Sequence, residues 1–135
     1  MATLTLLATD ENLEAVNDFI HGQLPEDCSA KVLYQIDLAV EEIYVNIAHY
    51  AYAPEKGDVQ VDCTVTGTPP VMKISFTDRG KHFDPLAKED PDITLSAEER
   101  GIGGLGIFLT KKFMDNVDYR WEDGQNILTF SKQLA

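Results

Sequence analysis

The chain has 135 residues, 44% hydrophobic and 25% charged, the balance of an ordinary globule, and at this length a single domain over residues 1–135 is expected. Its formal net charge of −12 excludes partners that demand concentrated Lys and Arg, namely a nucleic-acid backbone or an anionic membrane. No apolar run approaches the ~20 residues of a membrane span and no signal-peptide layout opens the chain; Cys28 and Cys63 have no C-x-x-C spacing, so two buried, reduced thiols in the cytoplasm are expected.

Ala2 to Ala8 alternates as an opening strand does. Thr9 or Asp10 then caps a helix to about Gln23, with the apolar stripe Leu13, Val16, Phe19, Ile20 and Leu24, before Pro25-Glu26-Asp27 breaks it. A longer helix is predicted from about Ser29 to Tyr52, because Val32, Leu33, Ile36, Val40, Ile43 and Ile47 recur at three- and four-residue steps. Pro54 to Asp58 reads as a turn. Strands follow at Val59–Thr66 and Val71–Thr77, and Asp78-Arg79-Gly80 ends the second. Lys81 to Arg100 is a polar stretch of the kind that forms a lid, with Ser96-Ala97-Glu98-Glu99 as a capping box inside it. A helix from Leu105 to Met114 precedes a hairpin of Val117–Trp121 and Asn126–Phe130 across Glu122-Asp123-Gly124-Gln125. The order has no strand-helix-strand repeats, so the fold class is α+β: a two-layer sandwich with helices on one face of a mostly antiparallel sheet.

Three stretches carry chemistry. Gly101-Ile102-Gly103-Gly104-Leu105-Gly106 matches G-x-G-x-x-G, but the segment before it is polar rather than a buried strand, so the dinucleotide reading fails on context. A glycine-rich helix start nevertheless leaves unpaired N–H groups at a positive dipole end, which suits phosphates. On the long helix, Glu42 and Asn46 lie four apart on one face, a carboxylate and a carboxamide able to offer oxygens to a hard cation such as Mg²⁺. Asp78 ends a strand, where it can accept a hydrogen bond from the exocyclic amine of a base, and Gly80 permits a tight turn.

The order helix Glu-x-x-x-Asn, strand-end Asp-x-Gly, polar lid, glycine-rich helix start resembles the ATP-binding module of the GHKL superfamily, the Bergerat or histidine-kinase-like ATPase fold. The closest likeness is to the bacterial anti-sigma factor serine/threonine kinases, carried further by Met114-Asp115-Asn116-Val117-Asp118-Tyr119. The resemblance implies a mixed, mostly antiparallel sheet, bound ATP and Mg²⁺, and these roles: Glu42 the general base, Asn46 the Mg²⁺ ligand, Asp78 the reader of the adenine amine. Gly80 lets the base approach backbone, and Arg100 reaches the γ-phosphate. Gly101, Gly103, Gly104 and Gly106, with the N–H groups of Leu105 and Ile107, cradle phosphate oxygens.

The resemblance implies an ATP- and Mg²⁺-dependent kinase that phosphorylates a small anti-anti-sigma (STAS-type) protein and binds a sigma factor or similar regulator. The first two helices offer surfaces for the sigma factor or for a homodimer. A nucleotide-binding partner-switch module without turnover is the alternative, and a histidine-kinase-type catalytic domain ranks third. The chain departs from the family pattern in three places. His82 stands where D-x-G-x-G has its second glycine, so its side chain must turn outward or narrow the nucleotide mouth. Tyr50 stands where relatives often have His. Thr129 is one residue out of register for the threonine that supports the adenine-reading Asp.

Overall fold

The computed structural model describes residues 2–87 and 105–134. Its principal elements are β1 (Ala2–Leu7), α1 (Leu13–His21), α2 (Ala30–Asn46), β2 (Asp58–Thr66), β3 (Val71–Asp78), α3 (Leu105–Phe113), β4 (Asn116–Glu122) and β5 (Gln125–Gln133). The strands make one sheet in the order β1-β2-β3-β5-β4, and every pairing is antiparallel, with no parallel pair of the kind a mixed sheet would contain among the described residues. Alternation decides which face is covered. Val59, Val61 and Cys63 of β2, Met72, Ile74 and Phe76 of β3, and Leu128 and Phe130 of β5 are buried on one side, where they join Val16 and Ile20 of α1 and Ile36, Val40 and Ile43 of α2 in the core. This is the two-layer α+β architecture that the element order implies. Burial pushes the Cys63 thiol up to about 11, and Cys28 is only half-buried, so the expectation of two buried thiols holds for one of them.

Local chemistry explains the boundaries. Ser29 Oγ accepts a hydrogen bond from Val32 N–H at 3.2 Å, which caps α2. The first helix starts differently from expectation: a single 3₁₀ turn over Asp10–Asn12 precedes α1, and Thr9 makes no side-chain cap. Instead the buried Tyr44 of α2 holds the Thr9 backbone, its hydroxyl donating to the Thr9 carbonyl at 2.5 Å and accepting from Thr9 N–H at 3.0 Å. The link from β1 into α1 is thereby pinned to the central helix. The β4–β5 turn is tighter than expected. Only Asp123 (φ 54°) and Gly124 (φ 74°) lie outside the strands, as a type I′ turn requires.

The long helix does not run α-helical to Tyr52. It ends at Asn46 and widens into a π-helical turn over Ile47–Ala51, a distortion that often accompanies functional sites. The wide turn places the Ala51 carbonyl where it accepts Lys81 N–H at 2.8 Å. Just beyond it, the Tyr52 hydroxyl donates to the Asp58 carbonyl at 2.7 Å and accepts from Arg79 N–H at 2.8 Å. The end of α2, the start of β2 and the end of β3 are fastened together there.

Tyr44→Phe removes the hydroxyl that bridges the Thr9 N–H and carbonyl, each of which keeps a backbone partner in Leu7 or Asn12, so the loss should be about 0.5–1.5 kcal/mol. Urea unfolding should show the midpoint falling with an unchanged slope. An unchanged midpoint would mean that water replaces the hydroxyl and that the β1–α1 link is not held by Tyr44.

Candidate functional site

The end of β3 carries a carboxylate on the face that the helices cover. Asp78 is 5% exposed, and register sets it beside Asn126 of β5, which in turn pairs with Trp121 of β4. Asp78 Oδ1 accepts Gly80 N–H at 2.9 Å and Asn126 Nδ2–H at 3.0 Å. Oδ2 has no partner among the described residues, so an acceptor remains free beside a clamped one. Burial raises the Asp78 carboxyl above the usual aspartate value, while the bonds from Asn126 and Gly80 pull it back toward ionisation. An oriented Asp with one open oxygen is a receptor for an N–H donor such as an exocyclic amine.

Asn126 is saturated. Its Nδ2 donates to Asp78 and, at 2.8 Å, to the Lys81 carbonyl; its Oδ1 accepts the Tyr119 hydroxyl at 2.6 Å and Phe83 N–H at 3.1 Å. Two donors and two lone pairs are all used. Thr129 does not support Asp78. Side chains alternate along β5, so Thr129 faces away from the helices and meets Ser75 Oγ at 2.8 Å. Asn126 holds Asp78 instead. Its sequence signal is weak, because a buried Asn is recognised only once the β3–β5 register is known.

Gly80 has no substitute. A Cβ built on it would lie 2.3 Å from the Ala51 carbonyl oxygen and 2.6 Å from its carbon, both backbone atoms. The loop after β3 therefore crosses directly over the wide turn that follows Asn46, and only a glycine passes. The His82 ring turns away onto β4, its centroid 4.6 Å from Trp121 and 6.3 Å from Tyr119. Tyr50 is exposed and meets His49 edge-on.

Glu42 and Asn46 are half-buried, one turn apart on α2, which packs along α3. Burial raises the Glu42 carboxyl, and the charge of Glu41 adds to the rise. That is the direction that makes a carboxylate a better proton acceptor near neutrality. No group of three or more His, Cys, Asp or Glu side chains suits a metal among the described residues. A lone Asn46 oxygen fits only a cation that takes most of its ligands from phosphate and water, which is the habit of Mg²⁺. Leu105, Gly106 and Ile107 form the first turn of α3, where backbone N–H groups lack helical partners. Arg100, Gly101, Gly103 and Gly104 lie outside the described residues.

Asn126→Ala strips partners from four groups at once and should destabilise by about 2–4 kcal/mol in denaturant unfolding; a loss below ~1 kcal/mol would mean that the network is not cooperative. The raised carboxyls also fix a sign. The folded chain holds its proton on Glu42 at pH values where the unfolded chain has released it, so stability falls as pH rises from the ordinary 4.5 toward the raised value. Glu42→Gln should therefore melt higher than the native chain at pH 7 and lower the slope of melting temperature against pH. Equal slopes would show that Glu42 titrates as an ordinary surface group.

Comparison with known proteins bears on the family and the fold. The family model described as a histidine kinase-like ATPase domain matches residues 6–132. The serine/threonine-protein kinase BtrW of Bordetella bronchiseptica is 27% identical over 115 residues, which span 85% of this chain and 80% of that protein. The serine-protein kinase RsbW of Listeria monocytogenes is 27% identical over 105 residues, 74% of this chain and 66% of that one. Among solved structures, the RsbU and RsbW domains of Rv1364c from Mycobacterium tuberculosis superimpose with a TM-score of 0.66 at 17% identity, covering 99% of this chain and 33% of that one. The chain belongs to the histidine kinase-like ATPase domain family.

Proposed function

We propose that residues 1–135 act as one ATP- and Mg²⁺-dependent serine/threonine protein kinase domain within a partner-switching circuit. The observation that carries this reading is Asp78: buried, clamped on Oδ1, open on Oδ2, and set against a loop that crosses the helix end only because residue 80 is glycine. Asp78 Oδ2 accepts the adenine amine, and Gly80 lets the base lie close to backbone. Asn46 would offer a side-chain oxygen to Mg²⁺. Gly101, Gly103, Gly104 and Gly106 with the N–H groups of Leu105 and Ile107 cradle phosphate oxygens, and Arg100 reaches the terminal phosphate. Bound Mg²⁺-ATP supplies the phosphoryl group.

Glu42 takes the proton from the serine hydroxyl of a partner, and its raised affinity for protons suits that task. The names of relatives such as BtrW and RsbW support a serine as acceptor. An anti-anti-sigma protein of the STAS type is the phosphorylated partner, and a sigma factor or similar regulator is the one held when that partner is modified. The reading places this circuit in the cytoplasm; among the described residues no helix is long and apolar enough to cross a membrane. The rival reading, a nucleotide-binding module without turnover, drew its support from His82, and that ring lies against Trp121 and Tyr119.

Titration calorimetry with a non-hydrolysable ATP analogue should show Mg²⁺-dependent binding to the native chain and its loss in Asn46→Ala. Glu42→Gln should retain binding while phosphoryl transfer to serine falls about 10²- to 10⁴-fold. Binding that ignores Mg²⁺ removes Asn46 from its role, and near-normal transfer by Glu42→Gln removes Glu42 from its own.

A further inference from the structure

The loop after β3 is held on three sides. Lys81 N–H bonds to the Ala51 carbonyl, and Asn126 takes both the Lys81 carbonyl and Phe83 N–H. His82 lies between those last two attachments, and its ring is laid on the edge strand β4, tilted 30° at 4.6 Å from Trp121 and within 13° of parallel to Tyr119 at 6.3 Å. Both separations fall in the range of attractive aromatic pairs. The Tyr119 ring that His82 meets also sends its hydroxyl to Asn126 Oδ1, and Asn126 orients Asp78. A continuous set of contacts thus runs from His82 through Tyr119 and Asn126 to the carboxylate.

We propose that His82 is a positioning residue, a latch that fixes the Gly80–Asp84 loop to β4 through Trp121 and Tyr119 and so keeps Asp78 ready for a nucleotide base. The inference rests on the nucleotide-binding reading given above and adds to it a residue that acts through others. A glycine at this place would leave the loop its backbone bonds to Ala51 and Asn126 but remove the ring contact with β4, and part of the loop's ordering would then be at the expense of binding free energy. The imidazole removes part of that cost beforehand. Its ring lies against Trp121 and Tyr119 of β4, and the latch acts through the order of the loop.

The test uses the full chain and a non-hydrolysable ATP analogue with Mg²⁺. His82→Gly should weaken binding about three- to tenfold, the worth of one aromatic pair expressed as affinity. His82→Phe, which keeps an aromatic ring, should restore it. Trp121→Ala should weaken binding similarly, and adding it to His82→Gly should cost little more, because the two changes remove one contact. Trp121 is the only tryptophan of the chain, so its emission reports on the latch without any nucleotide: it should shift to the red in His82→Gly and not in His82→Phe. If the native chain binds the analogue and His82→Gly binds it equally well, the latch is overturned and the nucleotide site stands. Additive losses in the double variant overturn it too. If the native chain binds no analogue, the nucleotide reading itself falls, and a red shift in His82→Gly would then leave only a structural contact.

Discussion

A buried carboxylate is costly unless its surroundings supply hydrogen bonds to the charged form. Asp78 is such a group, and the architecture around it is organised to hold it. Asn126 meets the requirement from the neighbouring strand, and the Gly80 N–H meets it from the turn that follows. Asn126 in turn needs partners for its remaining atoms, and Tyr119, Lys81 and Phe83 provide them. Among the described residues, Asp78 Oδ2 is the oxygen of the Asp78–Asn126 pair that has no donor. A pair satisfied everywhere but at one oxygen has a single position at which a ligand donor improves it.

The same constraint accounts for the distortion of α2. If the helix continued with α-helical winding past Asn46, nothing in the described contacts would bring its end to the loop after β3. The π-helical turn supplies the Ala51 carbonyl to Lys81, and the close crossing at Gly80 follows from that contact. Tyr52 then secures Arg79 and Asp58 one residue farther on. The helix that bears Glu42 and Asn46 and the strand that bears Asp78 are thus fastened to one another by the Lys81–Ala51 and Arg79–Tyr52 hydrogen bonds.

Much of this was readable from the sequence. The period-2 pattern of β2, β3 and β5 and the three- and four-residue steps of α2 specify their own buried faces, because each face must cover an apolar core. The β4–β5 hairpin was legible, but its turn is tighter than Glu122–Gln125, because only Asp123 and Gly124, both at positive φ, lie outside the strands there. The candidate residues on regular elements, Glu42, Asn46 and Asp78, stand out for similar reasons: polar groups in otherwise apolar runs. What could not be read depends on contacts between distant segments. Asn126 becomes the partner of Asp78 only through the β3–β5 register, and Thr129 is excluded only once the facing of β5 is fixed. The π-helical turn over Ile47–Ala51 likewise ends in a contact with Lys81 that no local pattern announces. His82 resembles a defect in a glycine pattern until the position of Trp121 is known.

The distribution of cost across the molecule separates its two tasks. The apolar lattice of Phe76, Phe130, Ile74 and Ile36 is buried without polar complications, and such burial contributes roughly 25 cal/mol per Å² of apolar surface. Against it stand two carboxyls raised by burial, a backbone crossing that admits no Cβ, and a helix turn with atypical winding, all gathered where α2 meets the end of β3. A chain selected for stability alone would exchange Glu42 for a neutral residue and let α2 finish regularly. Keeping an ionisable group partly desolvated beside Glu41 lowers stability at neutral pH and raises the carboxyl's hold on a proton, and the second effect follows from the first. The free-energy cost at Glu42 and the basicity of Glu42 are therefore one quantity seen in two equilibria, folding and proton transfer.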